Sequence, residues 1–322
     1  MADELPAVPR NGTQVTLRVA TPVGPISVVG VIVEADSERW RVRRRDGSVA
    51  EVAVATIEAR REVPPGRSAT ATVTEIEQLA AFGWRAQETV RLGEWLLRSS
   101  SGFTQRANSV LAIGDPGCEL DIAIERAVDW YAERDQPLIV MEVDDVSPAG
   151  LAELLADRGC TRRSETHVMT GEIAHALRGM PDAVSSATAE GLTVRLDDAP
   201  DDAWYACYGE SGRPVGDARR AVIENHPNVV FGSLRDRDRV VSVARAAVDA
   251  RWAGLFTIAV APDHRREGLG AAVTLATLRE AARRGGRHVY LQVEAGNEPA
   301  VALYRRLNLE VHHDYRYWLS PK

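Results

Sequence analysis

The chain has almost no lysine: Lys322, its last residue, is the only one, and arginine carries the remaining positive charge. With abundant alanine, this is the codon signature of a GC-rich genome. Positive charge is not in excess either. Asp and Glu number 46 against 39 Lys and Arg, a net charge of -7 at pH 7, which excludes broad attraction to nucleic acid or to an acidic membrane. The basic runs 39–45 and 283–287 read as solvated faces. Cysteine is scarce: Cys118, Cys160 and Cys207 are an odd, widely spaced set. That excludes a disulfide framework and a Cys-based metal site, and it suits thiols kept reduced in a cytoplasm. No apolar run approaches the roughly 20 residues that cross a bilayer, and the acidic start Met1–Pro6 lacks the apolar core of a secretory signal. A cytoplasmic protein without nucleic-acid or membrane partners is expected; self-association into a homo-oligomer stays open.

What is present first is length. A chain of 322 residues exceeds the size at which single cores stop growing, so two or three domains are expected. Residues 1–66 offer short strands at Gln14–Ala20, Ile26–Glu34, Arg39–Arg45, Ser48–Glu51 and Val54–Arg60. Turn signals separate them at Pro22, Gly24-Pro25, Asp36-Ser37 and Asp46-Gly47. The pattern suggests a small all-β SH3-like barrel, ended by the breaker Pro64-Pro65-Gly66.

From Thr74 the texture is mixed α/β. Helices are expected at Glu75–Phe82, Glu119–Arg134 and Ala149–Arg158, and strands at Thr89–Arg98, Arg106–Ile113, Leu138–Val143 and Ser164–Met169. The Ser/Ala-rich stretch Ala183–Gly191 reads as a boundary. Beyond it lie strands at Leu192–Leu196, Val229–Leu234, Val240–Val248, Phe256–Val260, Val289–Val293 and Asp314–Leu319. Helices there are expected at Asp201–Tyr208, Gly216–Asn225, Leu269–Arg284 and Pro299–Arg306. The two mixed segments share an element order. Leu138–Val143 matches Val289–Glu294, and Leu154–Cys160 matches Leu303–Leu309, which reads as a diverged internal repeat. Domains are therefore expected at 67–185 and 186–322.

Chemistry concentrates in the second segment. Val260-Ala261-Pro262-Asp263-His264-Arg265-Arg266-Glu267-Gly268-Leu269-Gly270 reads as a strand end, a loop and a helix start. Unpaired amides and the macrodipole converge at such a turn, and Gly268 and Gly270 remove side chains that would block an anion. Ala271, Leu275, Leu278 and Ala282 continue one apolar helical face, stopped by Gly285-Gly286. There is no Gly-Lys-Ser/Thr, so no nucleotide-bound Mg²⁺ is expected. Downstream, Asn297 is placed to cap a helix that carries Tyr304 two turns later, beside a strand ending in Glu294. His312-His313 reads as a surface pair; spacing supplies no third ligand, and no metal is expected.

These residues resemble the GNAT superfamily of N-acetyltransferases. The family's acetyl-CoA motif, Gln or Arg then x-x-Gly-x-Gly or Ala, is matched by Arg265-Arg266-Glu267-Gly268-Leu269-Gly270. Its second motif, Asn-x-x-Ala-x-x-Leu-Tyr, is matched by Asn297-Glu298-Pro299-Ala300-Val301-Ala302-Leu303-Tyr304. Where members continue to Gly-Phe, this chain has Asn308-Leu309, and Asn tolerates the same left-handed turn. The resemblance covers 190–322 well and 74–180 weakly.

It implies a tandem mixed-sheet acyltransferase fold and direct acetyl transfer from acetyl-CoA to a primary amine of a small molecule or a protein. The pyrophosphate is implied to sit on the amides of Arg266, Glu267, Gly268, Leu269, Gly270 and Ala271. Val260 is implied to hold the pantetheine, and Tyr304 to meet the leaving thiolate. Glu294 is the first candidate base, with Asp249 and His312 behind it. Arg245, Asp249, Trp252 and Arg106 are candidates for the acceptor pocket. The layout also resembles a GNAT subgroup associated with N-acetylglutamate synthesis. A protein lysine acetyltransferase and a non-catalytic acyl-CoA sensor are the alternatives. In the first segment Asp115 and Glu119 would repel a pyrophosphate and Leu155 stands in place of Tyr304, so that half is expected to keep the fold without the chemistry.

Overall fold

The computed structural model describes residue 9 and residues 13–21, 26–43, 49–63, 71–209 and 216–321. Its contacts divide the chain into two units, Met1–Ala71 and Thr72–Lys322. The expected turns at Pro22, Gly24-Pro25 and Asp46-Gly47 and the breaker Pro64-Pro65-Gly66 lie outside the described residues.

In the first unit, apolar alternation yields five strands: β1 (Gln14–Val19), β2 (Ile26–Ala35), β3 (Arg39–Arg43), β4 (Val49–Ala53) and β5 (Ile57–Val63). They form one antiparallel sheet ordered β4-β3-β2-β1-β5. Val15, Leu17, Val28, Ile32, Trp40, Val42 and Val52 bury the inward positions, as period-2 patterning requires.

The second unit is built on one eleven-stranded sheet ordered β11-β12-β13-β14-β15-β10-β16-β9-β8-β7-β6. In chain order its first elements are α1 (Val73–Gly83), β6 (Glu88–Leu92), β7 (Trp95–Ser99), β8 (Val110–Leu111), α2 (Leu120–Ala132), β9 (Ile139–Val143), α3 (Leu151–Asp157) and β10 (Thr161–Glu172). Thr72 and Glu75 close a reciprocal capping box that fixes the start of α1. The single strand expected at Thr89–Arg98 is a hairpin, turned at Gly93 with a left-handed φ of 56°. The strand expected at Arg106–Ile113 shrinks to two residues. Asn108 folds the preceding loop by accepting from the Ser100 and Gly102 amides and donating to the Phe103 and Thr104 carbonyls.

Next come α4 (Ile173–Gly179), α5 (Ala183–Ala189), β11 (Thr193–Asp197), α6 (Asp202–Tyr208), α7 (Asp217–Ile223), β12 (Val229–Asp236), β13 (Arg239–Asp249) and β14 (Trp252–Val260). The chain ends with α8 (Leu269–Arg283), β15 (His288–Glu294), α9 (Glu298–Arg306) and β16 (Glu310–Leu319). The Ser/Ala-rich stretch is thus a helix, α5, which packs on α8. With α4 on it as well, α8 is covered on more than the one face its apolar spacing suggested, and Thr274 and Thr277 are wholly buried.

The internal repeat has a topological form. From β6, the pairings run antiparallel, antiparallel, parallel and antiparallel through β7, β8, β9 and β16. From β12, the same sequence runs through β13, β14, β15 and β10. Each half therefore ends on the other half's last strand. Both α3 and α9 close with the same bonds: Cys160 N–H to Leu155 C=O and Leu309 N–H to Tyr304 C=O, with Gly159 and Asn308 left-handed. Leu155 and Tyr304 are thus equivalent positions.

Candidate active site

Parallel strands hold together only while their amides pair, and here the pairing stops early. β14 and β15 are in register only from Trp252/His288 to Leu255/Leu291. Yet β14 continues to Val260 and β15 to Glu294. The cause lies in β14: an extra residue against β13 between the Arg245 and Val243 pairings makes a bulge, which bends a strand away from its neighbour. Thr257, inside it, takes a φ of 52° and donates its hydroxyl to the Phe256 carbonyl at 2.8 Å. A β-branched residue with positive φ is a strained one, held by its surroundings. The two strand ends splay, leaving the β15 side of residues 256–260 unpaired.

The loop after Val260 enters α8 at the mouth of this splay. Arg266 and Gly268 are left-handed, with φ of 70° and 80°. The first turn of α8 leaves the Leu269 and Gly270 amides without intrahelical acceptors. The Ala271 N–H already donates to the Gly268 carbonyl at 3.0 Å, so its expected place among the anion-binding amides is corrected. A Cβ on Gly268 would meet nothing within 4 Å; one on Gly270 would lie 3.5 Å from Val260 Cγ2 and 3.7 Å from Leu303 Cδ2. The end of β14, the start of α8 and the helix of Tyr304 therefore converge at Gly270. Asp263 is held by the Arg239 guanidinium at 2.7 and 2.8 Å, and His264 lies 3.1 Å from Glu267. These contacts brace the loop.

Asn297 caps α9 by accepting from the Ala300 amide at 3.3 Å. Tyr304 is 7% exposed among Leu291, Val293, Val301, Leu307 and Leu309, and burial pushes its phenol up to about 12. Glu294 ends β15 on the alternate face of that strand and is exposed.

On that alternate face opens a pocket of about 430 Å³ whose lining includes Trp84, Arg106, Arg163, Thr257, Gln292 and Glu294. Thr257 and Glu294 place it at the splay. Thr104, Gln105 and Arg106 precede β8, and Tyr315 and Tyr317 come from β16, so both halves build the wall. Arg106 Nε and the Tyr317 hydroxyl are buried without a hydrogen-bond partner. Burial works to lower the Arg106 pKa, but Tyr315, Tyr317 and Glu77 hold it above the ordinary value.

Of the four residues expected in the acceptor pocket, only Arg106 lines it. Arg245 is fully buried and donates to the Ile223 carbonyl at 2.6 Å and the Gly83 carbonyl at 2.9 Å. Its guanidinium lies against the Trp84 and Phe256 rings, and burial lowers its pKa to about 10. It is a strut behind the pocket wall. Asp249 and Trp252 flank the turn at the opposite end of the β13–β14 hairpin from Val260, roughly 25 Å away at strand rise. Asp249 is therefore too remote to act as base, and Trp252 stacks on His288 instead. The His312–His313 pair is buried rather than superficial. Trp84, Arg163, Tyr208, Tyr315 and Tyr317 were missed because no local motif marks them. Gln292 had a signal: two residues before Glu294, it shares that residue's strand face.

The family model described as "Probable histone acetyltransferase Rv0428c C-terminal" matches residues 70–318. An "Uncharacterized N-acetyltransferase YobR" of Bacillus subtilis is 27% identical over 251 residues, covering 76% of this chain and 97% of the relative. A mycothiol acetyltransferase of Clavibacter sepedonicus is 30% identical over 221 residues, 62% of this chain and 71% of the relative. Among solved structures, a GCN5-related N-acetyltransferase from Kribbella flavida superposes with a TM-score of 0.61 at 21% identity, covering 78% of this chain and 96% of that one.

Proposed function

Because the chain belongs to the family described as probable histone acetyltransferase Rv0428c C-terminal, and so to the GNAT N-acetyltransferases, we propose that it moves an acetyl group from acetyl-CoA to the primary amine of a small, amino-acid-like acceptor. The observation that carries this is the convergence, at one splay between β14 and β15, of a glycine loop, the helix that carries Tyr304 and a pocket whose lining includes Arg106, Arg163 and Glu294.

Acetyl-CoA supplies the thioester. The amides at Gly268, Leu269 and Gly270 hold its pyrophosphate, with Arg265, Arg266 and Glu267 shaping the loop, and the unpaired backbone of β14 up to Val260 receives the pantetheine. Tyr304 donates a hydrogen bond where negative charge collects on sulfur. A phenol pushed up to about 12 against a thiol near 8.5 makes full proton transfer uphill by about 5 kcal/mol. Stabilising the developing charge is the role that fits. Glu294, at the pocket mouth, takes the proton that the acceptor ammonium must lose before its lone pair can attack.

Arg106 and Arg163 suit a carboxylate on the acceptor, which makes the α-amine of an amino acid such as glutamate the favoured substrate. The amino-terminal sheet is read as an SH3-like barrel. CoA release measured with free amino acids, polyamines and lysine peptides tests the assignment. Turnover with lysine peptides alone favours the protein acetyltransferase reading, and acetyl-CoA binding without turnover on any amine favours a sensor.

A further inference from the structure

Behind the acceptor pocket lies a row of buried ionisable groups that the transfer chemistry leaves unused. Glu77, on α1, is 1% exposed, and its Oε1 lies 2.9 Å from Nε2 of His313. His313 Nδ1 lies 2.8 Å from Nδ1 of His312. Consecutive strand residues ordinarily face opposite ways. Here β16 slips against β10 between the Val168–His313 and Met169–Val311 pairings, so His312 is the extra residue of a bulge and its ring can meet its neighbour's.

The Glu77–His313 and His313–His312 contacts make one buried chain of polar groups.

The chain also touches the pocket wall. Gln292 Nε2 reaches the same Glu77 Oε1 at 3.4 Å, and Gln292 and Arg106 both line the pocket. In register, Gln292 and His313 both lie opposite Val168, whereas Glu294 and Tyr315 both lie opposite Thr166. Gln292 and His313 thus share one row across the sheet, next to the row of Glu294 and Tyr315.

We propose that Glu77 is a positioning residue of the acceptor site, lent by the first half, which holds Gln292 at the pocket wall and is itself anchored by His313. Without its carboxylate, acceptor binding weakens and acetyl-CoA binding does not. This rests on the N-acetyltransferase reading of the pocket.

The first test is Glu77→Gln. The acceptor KM rises about tenfold or more, the loss expected for a hydrogen bond to a charged group, while the acetyl-CoA Kd stays within about twofold. Equal losses for both substrates overturn the proposal. Gln292→Leu removes the side chain that Glu77 holds and is expected to raise the acceptor KM as much, with the double variant losing no more than either single one; losses that add overturn the proposal. If Glu77→Gln does not fold, an acceptor KM left native by Gln292→Leu overturns it alone. If no amine releases CoA from the native protein, the transferase reading falls by itself, whereas turnover with the acceptor KM unmoved in both variants rejects the role of Glu77 alone.

Discussion

The two halves of the large sheet place a loop at the same point, after β8 in one and after β14 in the other, and satisfy it in opposite ways. In the first half, carboxylates of that half meet the loop's amides. Glu94 accepts from the Asp115 amide at 2.6 Å, and Asp115 accepts from the Gly117 amide at 2.7 Å. In the second half the amides at Gly268–Gly270 meet no such carboxylate among the described residues; Asp263 pairs with Arg239 and Glu267 with His264. The same backbone device is self-quenched in one copy and kept open in the other. The helix that follows repeats the lesson, with Leu155 where Tyr304 stands. On the proposed function, a few side chains separate fold from chemistry, because the strand pairings of the two halves are equivalent.

The comparison can be broken most severely by giving the second loop the first loop's charge. Gly268→Asp sets a carboxylate beside the expected pyrophosphate. At about 4 Å and an effective dielectric near 20, the repulsion is roughly 4 kcal/mol, so acetyl-CoA affinity falls about 10³-fold by calorimetry while the fold persists. An unchanged affinity means that the cofactor does not sit on this loop.

Tyr304→Phe is expected to lower kcat by about 10²-fold, as for other single donors to developing charge, with the acetyl-CoA KM near native. The same variant checks the effect of burial on the phenol. Its folded pKa of about 12 lies above the unfolded value near 10. The contribution is therefore complete below pH 10 and lost as pH rises through 12, up to roughly 3 kcal/mol. Native protein should lose more stability than the Phe variant across that window in urea titrations.

Arg106→Met is expected to raise the KM of an anionic acceptor about 10- to 100-fold and that of a polyamine little. Smallest is Glu94→Gln. Weakening the charged acceptor of the Asp115 amide costs about 1–2 kcal/mol, seen as a lower Tm, with kcat and both KM values native. A changed KM would show that the first half's loop serves the site directly.

Much of this site was legible beforehand because its motifs are local. Gly268 is left-handed at the start of α8, Asn297 caps α9 and Tyr304 follows two turns on, placements that spacing within a few residues reports. The pocket was not legible for the converse reason. Arg245 and Asp249 were chosen for lying near the signature in sequence, but β13 and β14 form a long hairpin, and adjacency in sequence put Asp249 at its far end. Arg245 was drawn inward because the Ile223 and Gly83 carbonyls needed a donor. His312 and His313 were expected at the surface because neither a bulge in β16 nor a carboxylate on α1 announces itself in composition.

The sequence by itself held the anion cradle, the cap and the phenol two turns along a helix, which local backbone rules place, and its resemblance to the GNAT family implied the donor. It also determined that the chain contains two like halves. Tertiary structure alone decided that the halves exchange their final strands, and with that what faces the acceptor. β10 lies against β15 and β16 against β9, so the pocket joins Arg106 and Arg163 to Gln292, Glu294 and Tyr315. Strand order is a choice among pairings distant in sequence, and the alternation of residues along a strand is the same whichever neighbour it finds.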